Sequence, residues 1–191
     1  MNRVDVEQLS HRVLVWNLYV TQLIVLGVAC ALLWWQGRLT VQLWNVESWT
    51  VLLVGAGTGL LIVCADLLLS RRFPLHMTDK SGINEKLFRH QPVWHILIMT
   101  LFIASAEELL FRGAIQPYLG VVGTSLLFTL IHFRYLKQWA MVASVFLVSL
   151  VLGSLVLVTH SIAASTVAHF TVDFTLGVCI RYGLIDAFIQ R

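Results

Sequence analysis

Apolar runs dominate the chain and set its predicted elements. Val13–Trp35, Trp49–Leu69, Val93–Ile115, Trp139–Thr159 and Ile162–Ile180 each approach the ~20 residues that an α-helix needs to cross a bilayer. Val121–Phe133 is shorter, and at about 1.5 Å of rise per residue it reaches only part way unless flanking residues extend it. The pattern predicts an all-α fold, a polytopic transmembrane bundle of about six spans. A polar stretch, Ser70–Gln91, divides it. Residues 1–69 are expected to form an N-terminal tail and a two-helix part, 70–91 a cytoplasmic linker, and 92–191 a four-helix membrane core. Within the linker, Lys86–Arg89 suits an amphipathic surface segment or a solvated loop.

Composition agrees with the pattern. The chain is 58% hydrophobic and 12% charged, with a mean hydropathy of +0.82, outside the range of soluble globular domains. Charge placement adds direction. With both termini cytoplasmic and six crossings, the inner side holds Arg3, Arg12, Arg71, Arg72, Lys80, Lys86, Arg89, Arg134, Lys137, Arg181 and Arg191. The outer side holds only Arg38, and Arg112 lies within a segment. This is a strong positive-inside asymmetry. Trp34, Trp35, Trp44 and Trp49 group at the proposed outer interface, and Trp16, Trp94 and Trp139 near the inner one. The expected surroundings are the lipid bilayer of a bacterial plasma membrane, with no nucleic-acid partner. The oligomeric state is not readable.

Small residues and cysteines have plain readings. Gly55 and Gly59, with Gly57 between them, form a small-xxx-small pattern that lets helices approach closely. Cys30, Cys64 and Cys179 lie in apolar segments and read as packing residues rather than disulfide partners. The first segment has a basic flank, yet its length favours a retained span over a cleaved signal. No lipid anchor is expected.

Against this background the polar residues of three late segments stand out: Glu107-Glu108-Leu-Leu-Phe-Arg112, Phe128-Thr-Leu-Ile-His132 and His169-Phe-Thr-Val-Asp173. One ionisable group inside a span costs about 2.5–3.5 kcal/mol on insertion scales, so such groups generally face a polar cavity. Depth counting brings them together. Glu107 lies 12 residues before Leu119, where segments three and four turn, and His132 lies 13 after it, so both sit roughly 18–20 Å from that turn. His169 and Asp173 lie 9 and 13 residues beyond the turn at His160, about 13–20 Å.

Spacing then assigns faces. Phe128 and His132 are i,i+4 neighbours, as are His169 and Asp173. Glu108 and Arg112 share that spacing, with acid before base. Such a pair can neutralise itself and leaves Glu107 as the carboxylate free to act. Asp66, near the inner end of segment two, reads as an interfacial or loop-tethering residue. His11, His76, His90, His95 and His160 lie in loops or near segment ends and receive no role.

The three motifs, in this order, resemble those of the CAAX protease and bacteriocin-processing family of intramembrane enzymes, also called the Abi family. The resemblance covers roughly Val93–Ile180. It implies a glutamic endopeptidase that cleaves a membrane-associated peptide or protein. Glu107 would draw a proton from a water held between it and His132. His169, with Asp173, would stabilise the oxyanion, while Glu108, Arg112 and Phe128 would support them. The family's commoner last residue is asparagine. Here Asp173 either carries a proton and donates, or orients His169. Histidines and carboxylates so spaced also suit zinc, but no HExxH pair shares one helix, and a reaction without cofactor is expected. A silent membrane scaffold or immunity-type protein of the same fold is the alternative. A proton-coupled carrier fits less well, because no inverted repeat is visible.

Overall fold

The computed structural model describes residues 10–46, 48–72, 82–132 and 138–189. The predicted linker is therefore seen only at its ends. Arg3, Pro74, His76, Lys80, Phe133, Arg134, Lys137 and Arg191 lie outside the described residues.

Every described element is helical. α1 runs His11–Trp35 and starts at Ser10, whose hydroxyl accepts from the Val13 amide, an N-cap. A 3₁₀ turn at Val41–Trp44 leads to α2, Trp49–Arg72. The short α3, Ile83–Phe88, buries Leu87 and Phe88. α4, Val93–Glu108, continues without interruption into a π-helical stretch, Leu109–Ile115, and then into α5, Gln116–Ile131. α6 spans Trp139–Thr159, α7 spans Ile162–Arg181, and α8 is Leu184–Ile189. His160 closes α6 in the left-handed conformation (φ 53°), and Ser161 caps α7.

Five helical stretches among the described residues are long and apolar enough to cross a membrane, where the hydrophobic pattern predicts about six. The difference lies in segments three and four, which form one helical stretch, Val93–Ile131. That stretch doubles back. Phe111 and Phe128 are 17 residues apart, about 25 Å on a straight helix, yet their ring centroids are 4.9 Å apart. Gly120, with φ 65° and ψ 177°, breaks the helix at the predicted turn. Only glycine adopts that conformation readily. The returning arm ends at Ile131 and is too short to span on its own.

Two helix pairs carry the packing that positions the site. α2 lies on α7 through Gly55 and Gly59, as their spacing predicts. A Cβ added to Gly59 would stand 2.6 Å from the Ala168 carbonyl oxygen and 2.7 Å from Thr171 Cβ. One at Gly55 would stand 2.5 Å from the Ala164 oxygen. α4 and α7 also approach closely, with Ala104, Ala106, Ala164 and Ala168 fully buried.

α1 is fastened along α4 at both ends. Near its start the Tyr19 hydroxyl bonds His95 Nε2 at 2.9 Å, His95 Nδ1 bonds Gln91 Oε1 at 2.7 Å, and Gln91 reaches His11. His11 and His95 thus act in helix packing. At its far end Gln36 donates to the Ala114 carbonyl and Arg38 to that of Gly113, each at 3.1 Å. Gly113 lies four residues before Pro117, which has no N–H to return to it, so Arg38 supplies the missing donor.

The outer surfaces remain apolar. Leu53, Leu61 and Val158 are more than two-thirds exposed, which suits lipid contact. Trp16, Trp34, Trp35, Trp49, Trp94 and Trp139 are exposed near helix ends, where interfacial aromatics belong. Cys30, Cys64 and Cys179 are free thiols.

Candidate active site

Glu107 and Glu108 are the last two residues of α4, where the α-helix widens into the π-helical stretch. Such widening is frequent at functional sites. Arg112 lies within it, one turn beyond. Glu108 Oε2 accepts from Arg112 Nε at 3.2 Å, and neither side chain is exposed at all. Arg112 also donates through Nη2 to Ser149 Oγ of α6 at 3.0 Å. Its guanidinium carbon stands 5.6 Å from the centre of the Phe128 ring. A buried cation is thus held by a carboxylate, a hydroxyl and an aromatic face.

The expected Glu108–Arg112 pair is present, but it does not close on itself. The other Glu108 oxygen, Oε1, is 3.0 Å from His169 Nδ1. One carboxylate therefore ties α4, the π-helical stretch and α7 together. With Nδ1 engaged there, the opposite nitrogen of His169 faces the remaining acids. Nε2 lies 3.5 Å from Asp173 Oδ2 and 4.0 Å from Glu107 Oε2.

Glu107 is not free on its own face. Its Oε1 accepts from Gln22 Nε2 of α1 at 2.8 Å, and Gln22 is itself buried. His132 closes α5, and its Nδ1–H donates to the Phe128 carbonyl at 2.7 Å. The His132 ring packs 4.5 Å from that of Phe128, which also meets the His169 ring edge-on at 6.2 Å. Phe128 is thus the partition shared by Arg112, His132 and His169.

The structure brings together Glu107, Glu108, Arg112, His169 and Asp173 by polar contact and joins Phe128 and His132 through ring packing. Side-chain exposure rises from 0% at Glu108 to 12% at Glu107 and 30% at Asp173. The cluster is sealed at the Glu108–Arg112 end and open at Asp173. Among the described residues no three histidine, cysteine, aspartate or glutamate side chains are grouped so as to hold a metal ion.

Sequence reasoning missed two members. Gln22 is a neutral amide in a largely apolar helix assigned to the other part of the chain. Ser149 is one of several hydroxyl residues of α6, and its spacing to Arg112 carries no periodic signal. The signal for Gln22 was a strongly polar side chain midway along a span, where an unpartnered amide is costly.

Residues 89–175 match the family described as type II CAAX prenyl endopeptidase, Rce1-like. Those residues hold all three motifs. A protein of Bacillus subtilis (strain 168), the uncharacterized protein YpbD, is 34% identical over 166 residues, covering 85% of this chain and 88% of its own. No solved structure matches. With five helices long and apolar enough to cross a membrane and this match, the chain is an integral, multi-pass membrane protein. It belongs to the Rce1-like family of CAAX endopeptidases, a family of hydrolases.

Proposed function

We propose that the protein is an intramembrane endopeptidase that hydrolyses a peptide bond of a membrane-associated peptide or protein, in a bacterial plasma membrane. The convergence of Glu107, Glu108 and Asp173 on the two nitrogens of His169 carries the reading. No packing role needs three acids around one imidazole inside a bundle of apolar helices.

The reaction follows from the donors and acceptors. Water enters at the open Asp173 end. Glu107 removes one of its protons while its oxygen attacks the peptide carbonyl carbon, with His132 on the other side of that water. The carbonyl oxygen becomes an anion, for which His169 Nε2–H is the aimed donor. A good donor contributes roughly 3–4 kcal/mol there. Glu108 fixes the orientation of His169, and Arg112 compensates the charge of Glu108. Asp173 lies beside His169 Nε2 and orients it. The proton held by Glu107 then passes to the leaving amine, and the carbon–nitrogen bond breaks.

Membership of a prenyl endopeptidase family suggests a first substrate, a peptide ending in a prenylated CAAX tail. An unprenylated membrane-anchored peptide of the same sequence tests whether the lipid is required. Purified full-length protein in liposomes is expected to cleave at least one of the two, and Glu107→Ala and His132→Ala to cleave neither. Equal processing by all three proteins would overturn the proposal. The steps written above use no metal. Activity that survives strong chelators agrees with them, and activity restored only by added zinc contradicts them.

A further inference from the structure

We infer that Gln22, on the first helix and outside all three motifs, is a positioning residue for Glu107 and the nucleophilic water. The inference rests on the peptidase reading above. Gln22 is 7% exposed, near the middle of the first helix. Its Nε2–H donates to Glu107 Oε1 at 2.8 Å, a charge-assisted bond of ordinary length. That bond occupies one carboxylate oxygen and turns the other, Oε2, toward His169.

The second half of the amide matters equally. Gln22 Oε1 is buried and has no hydrogen-bond partner among the described residues. An amide separates its nitrogen and oxygen by only about 2.3 Å. With the 2.8 Å bond, Gln22 Oε1 therefore lies within about 5 Å of Glu107 Oε1. One water molecule can bond both residues across such a gap. A water that gives one hydrogen to Glu107 and the other to Gln22 has its lone pair fixed in direction, as nucleophilic attack needs. Gln22 gains and loses nothing in the step.

Position along the helix fits the task. α1 is pinned to α4 at Tyr19–His95 and again at Gln36–Ala114, so the backbone bearing Gln22 is set from both sides without it. Gln22 adds little that packing requires.

The test uses full-length Gln22→Met, close in volume but with no amide, and Gln22→Glu, in reconstituted liposomes with whichever anchored peptide the wild type cleaves. For Gln22→Met, kcat is expected to fall about 10- to 100-fold while KM changes less than about threefold. For Gln22→Glu, activity is expected to be confined to the acid side of the wild-type profile, where a proton shared by the two carboxyls restores the bond. Infrared difference spectra should show the Glu107 carboxylate band displaced in Gln22→Met, a readout independent of turnover. Wild-type kcat and an unmoved band in Gln22→Met would overturn the inference, as would a Gln22→Glu profile parallel to wild type. If the wild type cleaves no peptide, the peptidase reading fails instead, and the infrared band alone decides whether Gln22 sets the state of Glu107.

Discussion

Replacing Arg112 by methionine tests the buried end of the site. The substitution keeps most of the side-chain volume and removes three contacts: the 3.2 Å bond to Glu108, the 3.0 Å bond to Ser149 and the stacking over Phe128. Glu108 and Arg112 are wholly inaccessible, so solvent does not screen the loss. Removing one partner of a buried pair typically costs about 3–5 kcal/mol, because the other charge stays buried without compensation. His169, also on Glu108, offsets part of this, which places the expectation near 3 kcal/mol. The double variant Glu108→Gln, Arg112→Met removes both charges and should recover at least half of the loss, while remaining inactive. Equilibrium unfolding of the purified protein in mixed micelles, followed by tryptophan fluorescence, measures both. An Arg112→Met protein within about 1 kcal/mol of wild type, or a double variant no better than the single one, would refute the claim that Arg112 serves to compensate Glu108.

Two further perturbations act away from the chemistry. Gly59→Ala should cost about 1–3 kcal/mol by overpacking, since its Cβ meets backbone and Thr171 on α7. Gly57→Ala, with nothing within 4 Å, should be neutral or stabilising; equal effects in the same unfolding assay would deny that α2 sits on α7. Arg38→Leu should cost about 1–2 kcal/mol through the uncapped Gly113 carbonyl. Adding Pro117→Ala should reduce that cost by returning an N–H to the helix. A cost unchanged by the second substitution would show that Pro117 is not the reason Arg38 is needed.

Much of this was legible in the residues, for identifiable reasons. Apolar length marks the spans, and i,i+4 spacing pairs Glu108 with Arg112 because adjacent turns of a helix superpose. The turn at Leu119-Gly120 was placed between the third and fourth apolar segments, and counting from it put Glu107 and His132 at one depth. Gly55 and Gly59 disclosed a packing face because a missing side chain is a spatial statement. Other features have no one-dimensional signature. The π-helical stretch at Leu109–Ile115 alters hydrogen-bond register without altering residue type. The bond from Glu108 to His169 depends on where side chains point after α4 and α7 dock. Gln22 was passed over because charge attracts notice in an apolar helix more than a neutral amide does. The fourth predicted segment fell short of a span of its own because its helix is the returning arm of the third.

The central claim is that Glu107 is the base of a peptide hydrolysis inside the membrane. Single-turnover cleavage of the anchored peptide by wild type and Glu107→Gln in liposomes, with a strong chelator present, tests it most directly. The account predicts cleavage by wild type and a rate about 10²- to 10⁴-fold lower in Glu107→Gln, with the fold retained because glutamine keeps the shape and the contact with Gln22. Cleavage by Glu107→Gln at the wild-type rate would contradict it.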